Sequence, residues 1–231
     1  MTENTDRANG HGVRLVFHGA PRSEAAPVLL IMLTGVDIRA EDFVVQDFVA
    51  TLAAGAAAVD LLIAEPALDD YLDGSIAERL VAMLSEQPLA RYRRVWLGGI
   101  SLGAFGALLV ASAERFPVDG VVLLAPFLGV PGLIAEVERA GGLAAWQPGP
   151  VAANDGERRV LAWLKSHIAA GRPRPVLQLA YGARDRFGPG ARLLAACLPA
   201  GQVHVEEGGH DWPTWTKLWR RIVDAQPFVA A

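Results

Sequence analysis

The feature that most constrains this chain is a regular alternation of two patterns. Short, largely apolar runs of strand length recur along its 231 residues, and most are followed by a stretch with helical spacing. "PVLLIMLTG", "AAVDLLIAEP", "RRVWLGGI", "VDGVVLLAPF" and "RPVLQLAYG" are runs of this kind. A strand apolar on every residue is buried on both faces, as in a parallel sheet. "AEDFVVQDFVATLAAG", "SIAERLVAMLSEQ", "LGAFGALLVASAERF" and "DWPTWTKLWRRIVDA" carry the helical period. Strand and helix in alternation, with short connections, predict βαβ units: a mainly parallel sheet with helices on both faces. "GVRLVFHG" is expected to open the sheet and "GQVHVEEGG" to close it.

Residues 1–10 read as a flexible polar tail, and 11–231 as a single α/β domain. One connection is too long. About 45 residues separate "LLAPF" from "RPVLQL", whereas a crossover needs about a dozen. The excess, residues 127–172, is expected to form a helical insertion acting as a lid, with a fixed extension of the core as the alternative.

Several function classes are disfavoured. The formal net charge is −4 without a long run of one sign, so no clustered cationic surface is expected for a nucleic-acid backbone. Cys197 is the sole cysteine, which excludes an intrachain disulfide and reads as a core thiol. No signal peptide is recognised, and no apolar run approaches the ~20 residues of a membrane span. The expected compartment is the cytoplasm. A G-x-G-x-x-G fingerprint at the first βα turn and a Gly-Lys-Ser/Thr phosphate loop are both missing.

The stretch "WLGGISLGAFGALLV" contains Gly99-Ile100-Ser101-Leu102-Gly103 between an apolar strand and an apolar helix. G-x-S-x-G in that position predicts a sharp strand-to-helix turn displaying a serine nucleophile. The residues two before and two after the serine approach closely, so glycine is required at both. The next N–H, that of Leu102, then lies at a helix start facing a developing oxyanion. His210, in "EEGGHDWPTW" after the last strand, is the candidate base. His11 and His18 come too early, His167 falls on an insertion helix, and His204 lies within a strand. Asp185, in "YGARDRF" just past the penultimate strand, is the candidate acid. Asp211 is its rival, although its sequence neighbour on a helix start usually diverges from it. The loop "LTGVDIR" should supply the second oxyanion donor, with Val36 preferred over Asp37. Leu143 and Trp146 of the insertion, and Trp212 beside the base, are expected to wall the pocket.

"GGISLGA", "GARDRF" and "GGHDW" stand in the nucleophile–acid–base order of the α/β-hydrolase superfamily, which the chain resembles from about residue 12 to its end. "GGHDWPTW" is also similar to the histidine loop of esterase-D and enterochelin-esterase-like groups. The chain differs from those groups in its small size and in Thr34 where a histidine often stands. The resemblance implies the α/β-hydrolase fold and a serine hydrolase acting on small-molecule esters or thioesters through an acyl-enzyme on Ser101. Such a mechanism requires no metal and no cofactor. An acyltransferase with the same residues and a non-catalytic binding protein are the alternatives. The acyl chain, the leaving group and the oligomeric state stay open.

Overall fold

The computed structural model describes residues 5–8, 13–19, 26–55, 59–72, 75–86, 89–115 and 117–228. Their strands are β1 (Thr5–Ala8), β2 (Arg14–His18), β3 (Val28–Leu33), β4 (Val59–Glu65), β5 (Arg94–Ile100), β6 (Gly120–Leu124), β7 (Val176–Gly182) and β8 (Val203–Glu206). Among the described residues they form one eight-stranded sheet in the order β1-β2-β4-β3-β5-β6-β7-β8. β1 pairs antiparallel with β2, and β2 antiparallel with β4. From β4 onward every pairing is parallel. Thr5–Ala8 therefore corrects the expectation of a tail: this polar segment adds an edge strand through backbone hydrogen bonds, which apolar patterning does not signal. His11 lies outside the described residues.

The helices are α1 (Ala40–Val45), α2 (Phe48–Gly55), α3 (Leu68–Leu72), α4 (Ile76–Ser85), α5 (Leu102–Ser112), α6 (Pro131–Arg139), α7 (Gly156–Ala169), α8 (Gly188–Ala195) and α9 (Trp212–Asp224). The expected single helix over 40–55 is broken between α1 and α2 at Asp47, whose φ of 61° is left-handed. Aspartate tolerates that region better than most residues.

Strand periodicity sorts the core into two layers. All six residues of β3 are buried. Leu29, Ile31 and Leu33 join one apolar cluster, and Val28, Leu30 and Met32 the other. This is the period-2 alternation of a sheet covered on both faces. The second cluster is completed by Phe43, Phe48, Leu218 and Trp219 of α1, α2 and α9. The first contains Leu108 of α5 and Leu80 of α4, together with Val137, Val160, Leu164 and Leu194 of α6, α7 and α8.

The insertion thus belongs to the first layer. Leu128, Leu133, Ile134, Leu143 and Trp146 are all buried in the same cluster as the sheet. Side-chain bonds tie its parts together. The Trp146 indole N–H donates to Glu136 Oε1 at 2.8 Å, and Arg158 donates to both Glu136 oxygens at 2.7 and 2.8 Å. The Arg158 guanidinium also lies over the Trp146 ring, and Lys165 Nζ donates to the Trp146 carbonyl. Arg158 first, then Trp146, pull the Glu136 pKa down to about 2. The apolar side chains of these residues meet the sheet-covering helices, so this part of the insertion packs as an outer layer of the core.

Candidate active site

The turn from β5 into α5 holds Ser101 at φ 59° and ψ −116°, a conformation sparsely populated by non-glycine residues. Two neighbouring glycines make it possible. A Cβ on Gly99 would lie 2.2 Å from the backbone carbon of Gly103, and one on Gly103 would lie 2.2 Å from the Leu33 carbonyl oxygen. Backbone cannot move aside as a flexible side chain can, so both positions exclude a larger residue. The Ser101 N–H donates to Leu124 O at 2.9 Å, and its carbonyl accepts from the Phe127 N–H at 3.2 Å. The elbow is thereby fastened to the end of β6.

The acid and base loops leave the sheet beside it. Ala183 N–H donates to Glu206 O and Arg184 N–H to Gly208 O, each at 2.8 Å. A Cβ on Gly182 would stand 2.6 Å from Gly208 O, so the two loops approach at backbone distance. The zipper brings His210 over Asp185. Asp185 Oδ2 lies 2.8 Å and Oδ1 3.0 Å from His210 Nδ1. Oδ1 also accepts from the Phe187 N–H at 2.8 Å. A carboxylate only accepts, so Nδ1 carries the proton and Nε2 is left as an acceptor. Nε2 stands 3.0 Å from Ser101 Oγ. Asp185 is buried and Ser101 nearly so.

Asp211 is occupied elsewhere. It caps α9, its Oδ1 accepting from Thr214 N at 3.0 Å and Thr214 Oγ1 at 2.6 Å. Those bonds hold its pKa below the usual carboxylate range. The remaining described histidines are also engaged or remote. His167 Nε2 meets the Pro175 carbonyl, and His204 Nε2 meets Gln178 Oε1. His18 ends β2, buried, and burial lowers its pKa.

A cleft of about 330 Å³ opens on Ser101 and His210. Val36 and Leu102, the expected oxyanion donors, both line it. Leu102 is the first residue of α5, so its N–H is one of those a helix start leaves without an intrahelical acceptor. The Val36 loop backs closely on the elbow, since a Cβ on Gly35 would lie 2.7 Å from Ile100 O. Half-buried Tyr71 of α3 donates its hydroxyl to Thr34 O at 3.3 Å, anchoring the start of that loop. Burial raises the Tyr71 pKa, so the phenol stays a donor.

The expected pocket walls need correction. Leu143 and Trp146 are 1% exposed, packed in the core and absent from the cleft lining. Trp212 packs edge-on against Phe43, Phe48 and Trp215 instead of facing the cleft. Its place is taken one turn later by Trp215, whose ring meets the His210 ring at 5.0 Å. Phe187 meets the same imidazole at 4.9 Å, and Phe127 meets Phe187 at 5.4 Å. Phe127, one of the insertion's apolar residues expected to meet an apolar substrate group, lines the cleft, and Ile38, Arg186, Phe187 and Trp215 are lining residues that the sequence did not point to. The position of Phe187, two residues beyond the acid, was the one local signal. Among the described residues no group of three or more His, Cys, Asp or Glu side chains is placed to hold a metal ion. No helix among them is long and apolar enough to cross a membrane.

No protein-family model matches the chain, and no curated protein matches it. Solved structures resemble it along nearly its whole length. A predicted CIB-like hydrolase from Thermoplasma acidophilum superposes with a TM-score of 0.62 at 15% identity, over 97% of this chain and 98% of that one. An S-formylglutathione hydrolase from Staphylococcus aureus gives 0.64 at 14% identity, over 96% and 94%. The thioesterase domain from the curacin biosynthetic pathway gives 0.57 at 14% identity, over 96% and 99%. With its sheet order, its elbow and these neighbours, the chain has the α/β-hydrolase fold.

Proposed function

We propose that the protein is a serine hydrolase that cleaves small carboxylic esters or thioesters, with Ser101 as nucleophile, His210 as base and Asp185 as acid. The observation that carries this reading is the continuous hydrogen-bond chain from Asp185 through His210 to Ser101 Oγ at the floor of a cleft. His210 Nε2 takes the Ser101 proton as Oγ attacks the acyl carbon. The N–H groups of Leu102 and Val36 receive the charge that develops on the carbonyl oxygen. The bond to the leaving group breaks, and His210 returns the proton to the departing oxygen or sulfur. Water, deprotonated by His210, then releases the acid from the acyl-enzyme. Asp185 keeps its charge throughout, holding the imidazole tautomer and stabilising the imidazolium. A ferulic acid esterase, an S-formylglutathione hydrolase and a thioesterase domain among the structural neighbours support the same substrate class. A cleft of about 330 Å³ suits a small substrate.

Hydrolysis of 4-nitrophenyl esters of graded chain length by the protein and by Ser101→Ala tests the reading. The wild type should turn over short esters, and the folded variant should lose all but about 10³–10⁴-fold acceleration over water. Equal rates in the two would refute it.

A further inference from the structure

One charged group at the cleft has no part in that reaction. Arg186 lines it, and it is the lining side chain with a permanent charge; the walls around it are Phe127, Phe187 and Trp215. Nearby guanidiniums are paired, Arg184 with Glu207 and Arg221 with Glu206. Arg186 has no carboxylate partner among the described residues, and its guanidinium carbon sits 4.9 Å from the Phe187 ring centroid. The guanidinium carries five N–H donors, and none of them meets a carboxylate among the described residues.

The position of Arg186 fixes which half of a substrate it meets. Phe187, under the guanidinium, packs against His210 and donates its N–H to Asp185. Arg186 and Phe187 therefore belong to the histidine wall of the cleft. His210 Nε2 must reach the departing oxygen or sulfur to protonate it, so the leaving group lies along that wall.

We infer that Arg186 selects substrates whose alcohol or thiol half carries a carboxylate, which the guanidinium edge binds through paired N–H donors. This rests on the hydrolase reading above. As the Ser101 Oγ–acyl bond forms and the acyl–leaving-group bond breaks, the leaving group departs with the His210 proton and keeps its carboxylate, held by Arg186. The apolar rings accommodate the stem between ester and carboxylate.

Two matched ester pairs test the inference in wild type, Arg186→Gln and Arg186→Glu. The first pair, 4-acetoxybenzoate and its methyl ester, differs in charge on the leaving group. The second, mono-4-nitrophenyl glutarate and 4-nitrophenyl pentanoate, differs in charge on the acyl group. For the first pair, Arg186→Gln should lower the charged-to-neutral ratio of kcat/KM about three- to tenfold, the span between a solvent-exposed pair and a bidentate one. Arg186→Glu should lower it further, and added salt should erode the wild-type ratio. The ratio for the second pair should stay put. Hydrolysis of all four esters with a first-pair ratio indifferent to residue 186, or a change confined to the second pair, overturns the inference and leaves the hydrolase reading standing. Failure of the wild type to hydrolyse any of the four overturns both.

Discussion

The β5–α5 elbow and the 127–172 insertion are held in different ways. At the elbow the constraint is backbone against backbone: Gly99 meets Gly103, Gly103 meets the Leu33 carbonyl, and Ser101 takes a left-handed φ between them. In the insertion the constraint is side chain against side chain. Trp146, Glu136 and Arg158 join α6, the following loop and α7, while Leu133, Val137 and Leu164 pack into the sheet-covering layer. Backbone contact demands one residue type at one place, and its strain is what lifts the hydroxyl above the sheet. Side-chain contact demands only apolar volume, and the same residues would serve a pocket or a core. On the proposed reading the first region governs chemistry, while the second, packed into the core, governs stability, with Phe127 as the member of the insertion at the cleft.

The sharpest way to break this division starts at the triad. Asp185→Asn should lower kcat by about 10⁴, because it destroys the tautomer that leaves Nε2 as an acceptor. Asp211→Asn should retain most activity, since that side chain caps α9. Steady-state kinetics on both variants decides, and a larger loss for Asp211→Asn would contradict the site geometry. Next comes Trp146→Ala, which should cost about 3–5 kcal/mol of stability as a large buried truncation. Its preference for ester chain length should be unchanged. Denaturant unfolding with a chain-length profile on the folded fraction tests both halves, and an altered profile in a protein of normal stability would restore the lid. Phe127→Ala should do the reverse, shifting the preferred acyl or alcohol length, with each methylene worth about 1–3 kcal/mol of discrimination.

The smallest effect concerns the cap. Asp211→Ala should cost about 1 kcal/mol, the usual value of an N-cap. Bonds from Thr214 depress the folded-state pKa of Asp211. The carboxylate's contribution is accordingly full above its unfolded pKa of about 4 and disappears as pH falls through the lower folded value. Unfolding curves of wild type and variant should converge in strong acid and separate toward neutrality.

What the sequence discloses follows from the same distinction. The parallel sheet is legible because buried strands such as "VLLIML" have no polar face. The elbow is legible because its glycines are imposed by neighbours two residues away. Asp185 and His210 are legible as residues that follow strand ends in a fixed order, and the structure brings their side chains into hydrogen-bonding range. Trp215 was missed in favour of Trp212 because the cleft-facing side of α9 depends on how the helix enters the fold. Asp211 and Pro213 at its first turn set that entry. Arg186 and Phe187 reach the cleft through a turn after β7 whose path depends on the histidine loop. Leu143 and Trp146, in the loop between α6 and α7, were assigned to the pocket because an apolar side chain does not reveal in sequence whether its partner is a ligand or the core.

The central claim is that Ser101 is the activated nucleophile of this fold. Its most direct test is to react the native protein with a fluorophosphonate and map the adduct by peptide mass spectrometry. A single adduct on Ser101, lost in Ser101→Ala and strongly slowed in His210→Ala, is the predicted result. A folded protein that stays unmodified, or that carries the adduct on another residue, would contradict it.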